Sequence, residues 1–401
     1  MALLFTTHNE IKAINQVNLK RTFFSLKLGI IFIALCFVSP LSFALPVIPS
    51  PPAISAKGYL LIDFDSQQVI AESNADSRLE PASLTKILTA YIIFQEIQTG
   101  NVSLQDLVTV SEKAWRMKGS RTFIEVGKKI PVETLLRGMI VQSGNDATVA
   151  LAEHIAGSEE VFVTVMNQRA ADLGMVSSHF VNTTGLPHPE HFTTARDLAT
   201  LATAMIRDFP EFYQWYSQKE FTFNGIKQSN RNRLLWQDES VDGLKTGHTD
   251  SAGYCLVASA KRENMRLVSV ILGTRSETAR ANETKKLLNY GFRFFETHRL
   301  FGPHEPIKQV RIWKGESEEL SVGLPYELFI TVPRGQAKDV NVSVSLPEII
   351  TAPKSQGEEL GFVQITLNGE LITEHTVISL QNVEEGGMFD RMMDEIKLMF
   401  H

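Results

Sequence analysis

The chain has 401 residues, 43% hydrophobic and 21% charged, with a formal net charge of −6. That length holds two or three domains and a sizeable core, and the composition excludes a disordered chain, a collagen-like repeat and a small disulfide-stapled scaffold. The mild acidity argues against a nucleic-acid binder, which carries a basic face.

Near the start, Lys20, Arg21 and Lys27 precede an apolar run from Leu28 to Val38, followed by Ser39, Pro40 and the tripeptide Ser42-Phe43-Ala44. A basic region, an apolar run and a small-x-small tripeptide describe a secretory signal peptide, residues 1–44, cleaved near Ala44. The rival reading is an uncleaved membrane anchor, but Leu28 to Phe43 is only 16 residues and is broken by Pro40, short of the roughly 20 a spanning helix needs. Cys36 leaves with that segment, so the remainder keeps the single thiol Cys255 and no internal disulfide. Leu45 to Pro52, rich in proline, reads as an extended leader over 45–57.

Residues 58–297 mix strand and helix patterns. Gly58–Asp65 and Val69–Glu72 read as a hairpin across Ser66–Gln68. Leu84, Ile87, Leu88, Tyr91 and Ile92 recur at helical spacing, so a helix runs to about Gly100. Helices also suit Val132–Val141, Asp146–Ala156 and Ala195–Arg207, the last capped by Thr194 with Asp197 three residues on. Gly253–Ala260 and Met265–Gly273 look like a second hairpin, and Glu277–Tyr290 is a helix stopped by Gly291. Beyond His298 come short strands punctuated by Pro and Gly (Lys308–Trp313, Glu327–Val332, Asn341–Ser345, Gly361–Leu367 and His375–Leu380), the spacing of a small all-β, sandwich-like module over 298–383. Last, Met388, Met392, Ile396 and Phe400 stand four apart, widened by Phe389 and Met393, against Asp390, Arg391, Asp394, Glu395 and Lys397. This is an amphipathic helix, too short and charged to span a bilayer. After the Gly386-Gly387 hinge, residues 384–401 read as an anchor lying in a membrane surface, with docking on its own domain as the alternative.

Three motifs in the mixed domain carry chemistry. In Ser83-Leu84-Thr85-Lys86 a serine at a helix N-terminus has its hydroxyl near the positive end of the dipole, and a lysine three residues on shares its face. Held away from water among other cations, that amine becomes neutral and can act as a base. Ser143-Gly144-Asn145 offers a proton-relaying hydroxyl and an amide for a substrate carbonyl or N–H. Lys245-Thr246-Gly247 suits a strand edge whose backbone pairs with an extended ligand while lysine and threonine bind its anionic end. Alone, each motif is weak: a capped helix, a loop with an N-cap, a lysine on a solvated strand edge. Their joint order and spacing are strong. Two other features carry less. His188 and His191 have ligand-like spacing without further partners at a known offset and are not read as a metal site, and Cys255 on an apolar strand reads as core.

Ser-x-x-Lys, Ser-x-Asn and Lys-Thr-Gly together are the signature of penicillin-binding proteins and class A β-lactamases. Gly144 stands where that signature quotes aspartate, which points away from β-lactamases. The chain resembles the D-alanyl-D-alanine carboxypeptidases, low-molecular-mass penicillin-binding proteins of the type 5/6 subgroup. The resemblance runs from about Gly58 to the C-terminus through Pro81–Lys86, Gln142–Ala147, Phe221–Gly225, Asn230–Asn232, Asp242–Asp250, Lys285–Leu288, Gly291–Glu296 and Ile396–Phe400. It implies an α+β fold, with an antiparallel sheet flanked by helices as in serine β-lactamases, followed by the β module and the amphipathic helix.

For activity it implies removal of the terminal D-alanine from peptidoglycan pentapeptides, without a cofactor. Ser83 would attack, Lys86 would take its proton, and Ser143 and Lys245 would pass a proton to the leaving group. Backbone N–H groups of Ser83 and His248 would hold the oxyanion. Asn145 would fix the peptide, and Lys245, Thr246 and Arg231, preferred over Arg233, would bind the terminal carboxylate beside Gly247. β-Lactams would acylate Ser83, and the protein would sit in the periplasm against the inner membrane. A β-lactamase, a DD-endopeptidase and an inactive wall-binding scaffold remain as alternatives. The absence of a Glu-Pro-Glu-x-Asn-type loop weighs against the first, and the intact motifs against the last.

Overall fold

A computed structural model describes residues 48–400, so the expected signal segment lies outside the described residues. The central feature is a five-stranded antiparallel sheet in the order Val69–Ser73, Gly58–Asp63, Met265–Thr274, Gly253–Arg262, Val241–Thr249. Both hairpins read from the sequence are present. Consecutive residues Cys255–Ala260 and Leu267–Leu272 are all buried, so both faces of these strands are covered. Helices Ala195–Asp208 and Glu277–Phe294 pack on the sheet. Thr194 caps the first of these as expected, its hydroxyl accepting from Asp197 N–H at 3.0 Å.

Helix Thr85–Gln98 is the spine of the helical layer. Every residue from Thr85 to Phe94 is buried, against helices Asn145–Ala156, Glu159–Asp172 and Ala195–Asp208. A helix surrounded on all sides needs no polar face, so the apolar spacing read in the sequence is one part of a helix buried all round.

Some boundaries differ. The helix expected to stop at Gly291 continues to Phe294. Gly291 is there for close packing: a Cβ would sit 2.6 Å from a Leu267 methyl and 3.0 Å from one of Leu61. The helix at Val132 changes to a π-helical turn over Gly138–Gln142, which ends in Ser143. Helix Glu159–Asp172 escaped the sequence reading because its exposed Val161 and Val165 blur the apolar period.

The β module begins at strand Phe295–Phe301, before His298, directly after the long helix. That strand pairs with Leu328–Pro333. A second sheet runs in the order Pro306–Arg311, Glu319–Gly323, Glu370–Ser379, Glu359–Leu367, Val340–Ser345. Leu320, Val322, Ile330, Val363, Ile365 and Val377 fill the space within. A polar knot ties this module to the first hairpin of the main sheet. Asp63, fully buried, accepts from Ser66 Oγ at 3.0 Å and Thr297 Oγ1 at 2.6 Å, and Ser66 Oγ meets Thr331 Oγ1 at 2.6 Å.

The C-terminal helix Met388–Leu398 forms as read. Its polar side faces the β module: Asp394 accepts from Lys314 N–H at 2.8 Å and from Arg311 at 3.4 Å. Met388, Phe389, Met392, Ile396, Met399 and Phe400 are exposed. No helix among the described residues is long and apolar enough to cross a membrane.

Candidate active site

The three motifs converge. Ser83 lies in a single helical turn, Ala82–Leu84, that leads into helix Thr85–Gln98. That turn packs against strand Val241–Thr249, which carries Lys245, Thr246, Gly247 and His248. The close approach requires glycine at 247, where a Cβ would stand 2.8 Å from the Pro81 carbonyl oxygen and 3.2 Å from the Ala82 methyl. Ser143, in left-handed conformation at the end of the π-helical turn (φ 67°), forms another wall. Ser83, Ser143, Arg231, Thr246, Gly247 and His248 line one cavity of about 390 Å³.

Lys86 is wholly buried beneath it. Its Nζ donates to Ser83 Oγ at 2.9 Å and to the Thr184 carbonyl at 2.7 Å. Burial, aided by the Arg231 charge and opposed by Asp146, brings this amine down to about 7. Lys245, also buried, is held well below the usual lysine range, first by burial and then by Lys86, Arg231 and Arg280. Its Nζ donates to the Thr246 carbonyl at 3.1 Å.

Two polar atoms at the site are buried without a partner: Ser143 Oγ and Asn145 Oδ1. Asn145 is oriented by its other end, with Nδ2 donating to the Lys118 carbonyl at 2.6 Å. The free oxygen is therefore an acceptor awaiting an N–H. Buried polar atoms of this kind are costly unless a ligand satisfies them.

Of the two arginines in Asn230–Arg233, Arg231 lines the cavity, its Nε donating to the Gln142 carbonyl at 3.2 Å. Arg233 is not among the lining residues and pairs at 3.0 Å with Glu277, which is one of them. The sequence reading missed Arg280 and Tyr254, which also line the cavity. Arg280 is buried, with Nη2 donating to the Arg231 carbonyl at 3.3 Å and Nη1 3.5 Å from the Gly247 carbonyl. It lies 33 residues beyond Gly247, so no local motif announces it. Tyr254 pairs with His248 across the hairpin, their rings 3.9 Å apart.

His191 is a satisfied core histidine. Its Nε2 meets Thr85 Oγ1 at 2.8 Å, its Nδ1 accepts from Val181 N–H at 3.2 Å, and burial lowers it to about 4. Cys255 is core as read, its thiol pushed up to about 11 by burial. A larger hollow of about 620 Å³, between Arg262, Asn289, Phe292 and Arg334, carries no serine paired with a buried amine.

Comparison with known proteins agrees with this geometry. A family model for D-alanyl-D-alanine carboxypeptidase matches residues 46–276, and one for the penicillin-binding protein 5 C-terminal domain matches residues 295–385. D-alanyl-D-alanine carboxypeptidase DacC of Escherichia coli (strain K12) is 43% identical, covering 90% of this chain and 93% of that protein. DacA of the same strain is 42% identical, covering 88% and 90% respectively. Crystal structures of penicillin binding protein 5 from Haemophilus influenzae superpose with a TM-score of 0.82 at 40% identity, over 84% of this chain and 100% of that one. With that agreement along nearly its whole length, the chain belongs to the D-alanyl-D-alanine carboxypeptidase family.

Proposed function

We propose that this enzyme removes the terminal D-alanine from peptidoglycan pentapeptide stems through a transient ester on Ser83. The observation that carries the reading is a wholly buried amine, Lys86, 2.9 Å from the Ser83 hydroxyl and brought by burial down to about 7, where its neutral form is accessible. Lys86 takes the hydroxyl proton as Ser83 Oγ attacks the carbonyl between the last two D-alanines. The oxyanion is held by the backbone N–H groups of Ser83 and His248. Ser143 and Lys245 carry a proton to the leaving amine as the C–N bond breaks, and D-alanine departs. Asn145 Oδ1 accepts from the peptide N–H. Arg231, Thr246 and Lys245, with Arg280 behind them, hold the terminal carboxylate. Water, again deprotonated by Lys86, then releases the shortened peptide. A β-lactam enters the same path and stops at the ester.

The site of attack is tested by mass spectrometry after penicillin treatment. A single adduct on the peptide containing Ser83, lost in Ser83→Ala together with D-alanine release, is the expected result. An adduct elsewhere overturns the assignment.

The same reading places the protein in the periplasm, held to the inner membrane by helix Met388–Leu398 lying in the lipid surface. It is supported by the apolar stripe, in which Met388 is 82% and Phe400 88% exposed, and by the Asp394 contacts that occupy the opposite face.

A further inference from the structure

Asp146, next to Asn145, has no part in the chemistry above, yet its carboxylate is completely buried and fully engaged. One oxygen accepts from Thr122 N–H at 2.8 Å and Ala147 N–H at 2.9 Å; the other accepts from Phe123 N–H at 2.8 Å and Ile124 N–H at 3.2 Å. Arg121 Nε stands 3.7 Å away. Residues 118–124 belong to no helix or strand, so no ladder holds them. Gly119 and Ser120 line the catalytic cavity. The segment is joined to the Asn145 helix at two further points: Asn145 N–H donates to the Ser120 carbonyl at 2.7 Å, and Asn145 Nδ2 to that of Lys118 at 2.6 Å. Between them Gly119 adopts φ +87°, and a Cβ there would lie 2.8 Å from Asn145 Nδ2.

We propose that Asp146 is a positioning residue for the carboxypeptidase reaction. It ties residues 118–124 to the head of the Asn145 helix, so that the Lys118 carbonyl captures the Asn145 NH2 and leaves Oδ1 facing the substrate amide. This rests on the roles assigned above to Asn145 and Lys86. The charge of the same carboxylate is felt by the buried amine of Lys86, as are the cations Arg231 and Lys245 and the ring of His191. Among the charged groups acting on that amine, Asp146 is the one that favours its charged form.

Two variants of the full chain test this, each measured per active site after titration with labelled penicillin. In Asp146→Asn an NH2 replaces one carboxylate oxygen, so two backbone N–H groups face a donor. Turnover of a D-Ala-D-Ala peptide should fall about ten- to a hundredfold in kcat/KM, the scale of a misplaced binding group. The acid limb of its pH profile should move to lower pH, because a charge that favoured protonated Lys86 is gone. Gly119→Ala displaces the segment but keeps that charge, so kcat/KM should fall with the limb unmoved. A merely structural Asp146 predicts fewer titratable sites with unchanged kcat/KM and limb at those that remain, and that result overturns the proposal. If Asp146→Asn does not fold, Gly119→Ala decides the positioning claim: unchanged kcat/KM overturns it. Failure of the broader reading shows separately, as a penicillin adduct away from Ser83.

Discussion

The Lys86 amine and the Ser83 hydroxyl are 2.9 Å apart, and the hydrogen bonds of that amine go to Ser83 and the Thr184 carbonyl rather than to a carboxylate. A buried lysine without a paired acid sheds its proton near neutrality, here at about 7. Only the neutral amine can accept the serine proton, so the rate constant for acylation by penicillin should rise with pH through about 7 and then level. Lys86→Arg keeps a positive charge at all accessible pH and should abolish acylation. Stopped-flow acylation as a function of pH checks both, and a profile flat through this range removes Lys86 as the base.

The same burial sets a sign for stability. Between about 7 and the ordinary lysine value of 10.5 the unfolded chain holds the Lys86 proton and the native chain does not. Stability therefore rises with pH across that window, and below it the fold carries a buried charge. Lys86→Met has no such titration. Chemical denaturation at a series of pH values should show the parent gaining on Lys86→Met as pH rises from about 7.

The two cavity arginines should separate in kinetics. Arg231 is solvent-exposed and binds one backbone carbonyl, so Arg231→Gln should raise KM for a peptide with a free C-terminal carboxylate by about tenfold, the loss of one charge-assisted hydrogen bond. On a C-terminally amidated peptide that penalty should vanish. Arg280 is buried against the carbonyls of Arg231 and Gly247, so Arg280→Gln should lower kcat as well, by letting the Gly247 strand shift. Equal penalties on acid and amide for Arg231→Gln would deny it the carboxylate.

Much of this was legible in the sequence, for physical reasons that vary by element. Ser83 and Lys86 are one helical turn apart, so their contact follows from local geometry. That Lys245 joins them depends on strand Val241–Thr249 lying beside the Ser83 turn, and that Ser143 does depends on where the turn Gly138–Gln142 ends, long-range facts that spacing alone conveys only through the family resemblance. Arg280 was invisible because it serves the site from a helix whose sequence reads as an ordinary amphipathic surface. Asp146 was read as part of a helix start, and its four backbone partners come partly from a loop some twenty residues earlier. Helix ends failed where a glycine served packing, as at Gly291, and a strand was missed where it is half-exposed and follows a helix directly, as at Phe295–Phe301.

The polar knot at Asp63 should govern how firmly the β module is held. Its buried carboxylate takes hydroxyls from both Ser66 and Thr297 as well as two backbone N–H groups. Asp63→Ala takes the shared acceptor from two backbone N–H groups and two hydroxyls, leaving the hydroxyls only Thr331 Oγ1, a loss of about 2–4 kcal/mol. Thermal unfolding should show that loss, with the lability of the β module to protease increased and penicillin acylation at Ser83 retained. Unchanged stability would mean that the knot is solvated in solution.

The terminal helix offers the cleanest separation of attachment from chemistry. Its apolar stripe of Met388, Phe389, Met392, Ile396, Met399 and Phe400 is exposed, whereas Asp394 on its polar side engages Lys314 and Arg311. The helix carries nearly balanced charge, so the membrane attachment proposed above would rest on burial of the stripe in lipid rather than on attraction to anionic headgroups. Removing residues 388–401 should leave kcat/KM for a soluble peptide unchanged while abolishing co-sedimentation with vesicles, neutral and anionic alike. Asp394→Ala should retain binding, because the stripe is intact. Met392→Asp with Ile396→Asp should release the protein without truncation. Continued sedimentation of the truncated chain would place the membrane contact elsewhere, and binding only to anionic vesicles would make it electrostatic.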